Sequence, residues 1–143
     1  DTVESIKMKD LIVTRIEVAK LINDYKNNSI KLFEQKKDIE ETFFPKRTPK
    51  DGKINLNHAM IDIYNLIRGT TRPFPGSFLE YEDSSVILWD AVPFDTVLDF
   101  SRYEVGEIID FFGGKFILKL INGVLLVKDF ECGRRLKKGI ILV

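Results

Sequence analysis

Cysteine is nearly absent: Cys132 stands alone among 143 residues. A single thiol closes no intrachain disulfide and builds no cysteine zinc cluster, a usage that favours a reducing compartment. Charge of one sign is missing too, since Lys plus Arg and Asp plus Glu both number 22. Residues 1–45 hold 8 basic and 9 acidic side chains, and residues 46–143 hold the remaining 14 and 13. Nucleic-acid affinity is dominated by phosphate neutralisation, so this balance counts against a dedicated RNA binder. No apolar run approaches the roughly 20 residues that cross a bilayer. The first ten residues, DTVESIKMKD, lack the pattern of a signal peptide. What is there is ordinary: 44% hydrophobic and 31% charged residues, the composition of a globular chain with room for one domain or a small domain plus an attached element.

In chain order, SIKMKDLIV (5–13) suits a strand, with Ile6 and Met8 as apolar positions and an irregularity near Asp10. Thr14-Arg15-Ile16-Glu17 has the form of a capping box. Behind it Val18, Leu21, Ile22, Tyr25, Leu32 and Phe33 predict a helix over about 15–35, packed by its apolar stripe against something larger. Lys36 to Pro45 reads as a solvated linker with Phe43 and Phe44 tucked against a neighbour. Asn57 can cap a short helix over His58–Arg68, with Ala59, Ile63, Leu66 and Ile67 inward and Gly69 as its left-handed terminator. Pro73, Pro75 and Gly76 force an extended turn into a β-rich remainder. Strands are predicted over 77–81, 85–91, 105–111, 116–120 and 124–128. Gly113-Gly114 and Asn122-Gly123 serve as tight hairpin turns between the last three. Short strands with such turns suggest a small barrel or sandwich.

The stretch around which these elements are organised is RTPKDGKINLNHAMIDIYNLIRGTTRPFPGSF, Arg47 to Phe78. Its spaced words comprise Arg47, Pro49, Asp51, Gly52, Ile54 and Asn55, then Ile63, Ile67, Arg68 and Gly69, then Pro73, Pro75, Gly76, Ser77 and Phe78. In that order they resemble the entry to the C-terminal domain of folate-dependent formyltransferases, which include methionyl-tRNA formyltransferase and the sugar-nucleotide N-formyltransferases. Gly133, Leu136 and Gly139 resemble the ending of that domain. Asp1-Thr2-Val3-Glu4-Ser5-Ile6 looks like the family's D-(T/A)-G loop, with Val3 where glycine is usual.

The resemblance implies an α+β chain. Residues 1–45 would form the end of a Rossmann-like catalytic domain, 46–76 a linker with a short helix, and 77–143 a small OB-like β-barrel. It implies transfer of a formyl group from N10-formyltetrahydrofolate to a primary amine. The family uses an Asn and a His in an N-x-H motif and a distant Asp. The Asn stabilises the developing oxyanion, the His moves protons, and the Asp orients it. This sequence contains no N-x-H, so Asp1 alone has a counterpart as a catalytic residue and the segment cannot run the reaction by itself. Most of the catalytic domain would lie outside it. No metal is implied. His58 reads as an ordinary helix-start residue, Arg68 as a tie from helix to barrel that bonds the last helix carbonyls, and Trp89 as a core or domain-interface residue. The cluster Arg134, Arg135, Lys137 and Lys138 reads as solvated surface before a phosphate or tRNA contact.

The favoured expectation is a cytoplasmic enzyme acting on a nucleotide-linked amino sugar, whose barrel supports the catalytic domain or contributes to homodimer contacts, with no membrane partner. A methionyl-tRNA formyltransferase stands beside it, with tRNA as partner. So does a non-catalytic OB-like module in which Phe74, Phe78, Tyr81 and Trp89 stack on bases.

Overall fold

The computed structural model describes residues 1–36 and 38–143; Lys37, inside the expected linker, lies outside the described residues. Two compact units are present: Ser5–Arg47, and Thr48–Val143 together with Asp1–Glu4.

The first unit departs from the sequence expectation. Where the spacing predicts a strand over 5–13 and a new helix from Thr14, one uninterrupted helix, α1, runs Val3–Lys26. A strand needs a ladder partner, and no described strand pairs with this segment. A helix satisfies its backbone groups internally. The helix also stops nine residues short of the predicted end. Asn28 adopts φ 53°, Ser29 N–H donates to the Asp24 carbonyl and Asn28 N–H to that of Tyr25, at 2.9 and 3.1 Å. That pair of bonds is a Schellman motif, with asparagine as the left-handed residue. No residue of α1 is buried. Ile6, Leu11, Ile12, Ile16, Leu21 and Ile22 are exposed. Phe43 and Phe44, expected against a neighbour, are 84% and 85% exposed.

The second unit carries the core. A 3₁₀ turn, Pro49–Gly52, opens it, with the Asp51 carboxylate accepting from the Thr48 hydroxyl at 3.0 Å. Helix α2 spans Met60–Thr70, two residues later at each end than predicted. Asn57 does not cap it. The Asn122 side chain, from the turn between two strands, accepts from Met60 N–H at 2.8 Å instead, a cap supplied from 62 positions away that no local pattern could announce. Ile63 and Ile67 of α2 are each 1% exposed.

Five strands follow: β1 Ser77–Tyr81, β2 Ser84–Asp95, β3 Ile108–Phe112, β4 Lys115–Leu120 and β5 Gly123–Cys132. Each predicted strand exists, β2 and β5 longer than predicted. They form one antiparallel sheet in the order β1-β2-β5-β4-β3. Phe112 pairs with Lys115, leaving Gly113-Gly114 as a two-residue turn with both φ positive, the form that matches strand twist. The next hairpin turns one residue earlier than expected, since Leu120 pairs with Gly123. The sheet of named strands is open. Its two edges are both met by the chain's last residues. Ile108 N–H donates to Ile140, Leu142 N–H to Gly106, and Val143 N–H to Glu80, at 2.8, 2.9 and 2.9 Å. Leu79, Val86, Leu88, Phe116, Leu118, Leu125 and Leu142 are fully buried and share one core with Ile63 and Ile67.

Two glycines of the 47–78 stretch meet in this core. A Cβ on Gly52 would lie 2.4 Å from the Gly76 carbonyl oxygen, and one on Gly76 would lie 2.5 Å from Ile87 Cγ2 and 2.9 Å from the Trp89 ring. Gly76 also holds φ +88°. Gly69, by contrast, lies inside α2 with open space beyond its Cα and no left-handed φ, so it is no terminator; Thr71 is the C-cap. Opposite signs are expected. Gly76→Ala destabilises by at least about 2 kcal/mol through left-handed strain and overpacking, and Gly69→Ala stabilises by about 0.5–1 kcal/mol. Urea unfolding of both variants checks this; equal effects would contradict it.

Candidate functional site

Asp1, the expected catalytic carboxylate, is exposed. Its carbonyl accepts from Arg68 Nε at 2.8 Å. Arg68 also donates to Asn65 Oδ1 at 3.2 Å and places its guanidinium 4.9 Å from the Tyr64 ring centre. Arg68 therefore fastens the start of the chain to α2, where the sequence expectation had it bonding the last carbonyls of the helix. His58 lies in the turn before α2, exposed, its N–H donated to the Asn55 carbonyl. Among the described residues no cluster of three metal-ligating side chains forms.

Trp89 sits at a register shift of β2 between Leu88 and Asp90, an irregularity that re-aims a side chain. The Arg72 guanidinium covers its ring at 4.2 Å and is tied to Asp129 Oδ2 at 2.8 Å. Thr71 Oγ1 donates to the Trp89 carbonyl at 2.7 Å. The indole N–H is buried without a hydrogen-bond partner. With its face covered by Arg72 and its edge against Gly76, Trp89 serves packing rather than base stacking.

A further group of chemistry-bearing side chains is the C-terminal basic cluster. Around it lies a cavity of about 660 Å³ lined by Tyr81, Glu82, Arg134, Arg135, Lys137 and Lys138, among others. Arg134 pairs with Glu82 at 3.2 Å and reaches Asp83 at 3.9 Å. Lys138 Nζ donates to Asp110 Oδ2 at 2.9 Å. Leu136, between the cations, packs on the core, and Gly139 N–H is held by the Ile108 carbonyl at 2.8 Å. The cations therefore stand on an anchored rim, not a trailing end. Sequence reading found the cations but missed their acidic partners. Glu82 and Asp83 form the two-residue turn between β1 and β2, where Tyr81 pairs with Ser84; an acidic pair in the short gap between two predicted strands was the available signal.

The cleft's titrations follow from these contacts. Partial burial first and Glu82 second push the Tyr81 phenol above its usual range. The Lys138 hydrogen bond first and the Phe111 N–H second hold Asp110 below the ordinary carboxylate range, while Asp110 raises Lys138. Asp99, bonded by Ser101, is lowered as well. A lowered carboxyl means that the unfolded chain binds more protons, so this stability is present above about pH 4 and lost as pH falls through the lowered value. The raised lysine loses its share only as pH rises past the ordinary lysine range. The stability gap between the parent and Asp110→Asn should therefore hold constant near neutrality and close on acidification. Thermal unfolding across that range checks it, and a gap that persists at the acid end would contradict the assignment.

The family model described as formyl transferase, C-terminal domain, matches residues 46–137. The bifunctional polymyxin resistance protein ArnA of Wigglesworthia glossinidia brevipalpis is 30% identical over 128 residues, an alignment that takes in 73% of this chain and 20% of that protein. The chain thus spans about a fifth of the length of that relative.

Proposed function

We propose that this chain, which belongs to the formyl transferase C-terminal domain family, is the C-terminal portion of an N-formyltransferase. That enzyme moves a formyl group from N10-formyltetrahydrofolate to the amine of a nucleotide-linked amino sugar. The observation that carries the reading is the family match over 46–137, which takes in α2 and all five strands. The zero net charge supports a small acceptor over a polyanionic one. A relative named as bifunctional, of which this chain spans a fifth, fits a segment that works within a longer polypeptide.

In this reading residues 1–45 are the end of the catalytic domain, 46–76 the linker, and 77–143 an OB-like barrel closed by the pairing of 140–143 with both sheet edges. The exposed apolar residues of α1 are the side chains that the rest of the catalytic domain would cover. The residues present do not by themselves fit the formyl donor, because the sequence holds no N-x-H pair. No step of the transfer is therefore assigned to this segment beyond one positioning carboxylate, Asp1, which would orient the proton-moving histidine. The setting is the cytoplasm, where Cys132 stays reduced. Among the described residues no helix is long and apolar enough to cross a membrane. The barrel would brace the catalytic domain or form homodimer contacts.

The four cations of 134–138 favour a second reading, in which the acceptor is an aminoacylated tRNA. The longer protein, given N10-formyltetrahydrofolate, is expected to formylate a 4-amino nucleotide sugar and not methionyl-tRNA. Asp1→Asn in that protein should lower kcat by about 10²-fold or more and shift the pH–rate profile, with KM little changed. Formylation of tRNA alone would overturn the choice of acceptor, and full activity of the variant would remove Asp1 from the chemistry.

A further inference from the structure

The rim between β1 and the segment after β5 combines four features that a solvated basic stretch does not need. It is an open cleft of about 660 Å³, with room for a small anion. Two of its four cations are already neutralised: Arg134 by Glu82, and Lys138 by Asp110. These ion pairs, with Leu136 in the core and Gly139 bonded to Ile108, fix the backbone on which the other two stand. Arg135 and Lys137, both exposed, form no ion pair among the described residues. Two residues apart, their Cα atoms lie within about 7 Å of each other.

We propose that this cleft binds the diphosphate group of a small molecule such as a nucleoside diphosphate, with Arg135 and Lys137 as the anion-reading pair and Tyr81 as a wall. A guanidinium takes two phosphate oxygens in its fork, and the neighbouring ammonium adds a point charge, so the pair matches a doubly charged phosphoanhydride. The Tyr81 hydroxyl is engaged with Glu82, which leaves its ring as the wall of the cleft. The half-buried phenol ring adds an apolar surface against which a base or sugar can lie. A polynucleotide is the poorer match. The cations are confined to one cleft, Glu82 and Asp83 border it, and the chain as a whole has no positive excess to track a phosphate backbone. Ligand contact at Arg135 and Lys137 would also steady the segment that leads into the last residues, so binding couples to the pairing of Val143 with Glu80.

The test is independent of formyl transfer, because it reads binding alone. The 143-residue chain is titrated at low ionic strength with inorganic pyrophosphate, UDP, ADP and tRNA, by calorimetry and by amide chemical shifts. Saturable one-to-one binding is expected, weakening with added salt and slowing exchange of the Val143 amide. Arg135→Ala and Lys137→Ala should each weaken pyrophosphate binding by roughly tenfold or more. Lys115→Ala, at the β3–β4 turn outside the cleft, should leave it unchanged. UDP and ADP binding tighter than pyrophosphate places the base against Tyr81; equal affinities mean that only the diphosphate is read. Unchanged thermal unfolding of both variants excludes a folding defect. Absence of saturable binding, binding unaffected by both substitutions, or tRNA binding far tighter than pyrophosphate with a steeper salt dependence would overturn the proposal.

Discussion

The second unit depends on how its last residues satisfy both edges of the sheet. An open antiparallel sheet exposes rows of unpaired backbone groups that invite other strands. Here β3 and β1 are the edge strands, and residues 140–143 bond to the β3 side through Gly106 and Ile108 and to β1 through Glu80. Leu142 is buried in the core as it crosses between them. At roughly 1.5–3 kcal/mol for a fully buried leucine, that single side chain supplies a sizeable part of the tail's anchorage. The arrangement also explains why the basic segment has a fixed shape: Arg134 to Lys138 are held between the end of β5 and a tail that is itself locked in place.

The same economy operates on the helical side. α2 is fixed by Ile63 and Ile67 beneath it, by the Asn122 cap at its start, and by Gly76 at the turn that leaves it. The close approach of Gly52 to Gly76 joins two sequence words 24 positions apart. Only a residue without Cβ permits it. Those glycines thus reflect packing, and so does the tie from Arg68 of α2 to the Asp1 carbonyl.

Much of the β region was legible because alternation and paired glycines act locally: Gly113-Gly114 turns where its composition says, and each predicted strand is present. The failures have physical causes. Residues 5–13 carry a strand-like pattern, yet a pattern cannot form a ladder without a partner strand, so the segment extends α1 instead. Asn57 looked like a cap, but Asn122 took that place through a contact that exists only after the hairpin has folded. The site was half legible. Arg134, Arg135, Lys137 and Lys138 are evident as a run, whereas Glu82 and Asp110, which decide which cations remain uncompensated, come from separate strands and turns.

The central claim is that this segment belongs to a longer catalytic polypeptide and contributes a carboxylate and a brace to it. The mass of the natural polypeptide, with its sequence read ahead of Asp1, tests that claim most directly. The account predicts a substantially longer chain with an N-x-H motif upstream. A natural polypeptide that starts at Asp1, or a longer one without that motif, would contradict it and leave a binding module in place of an enzyme.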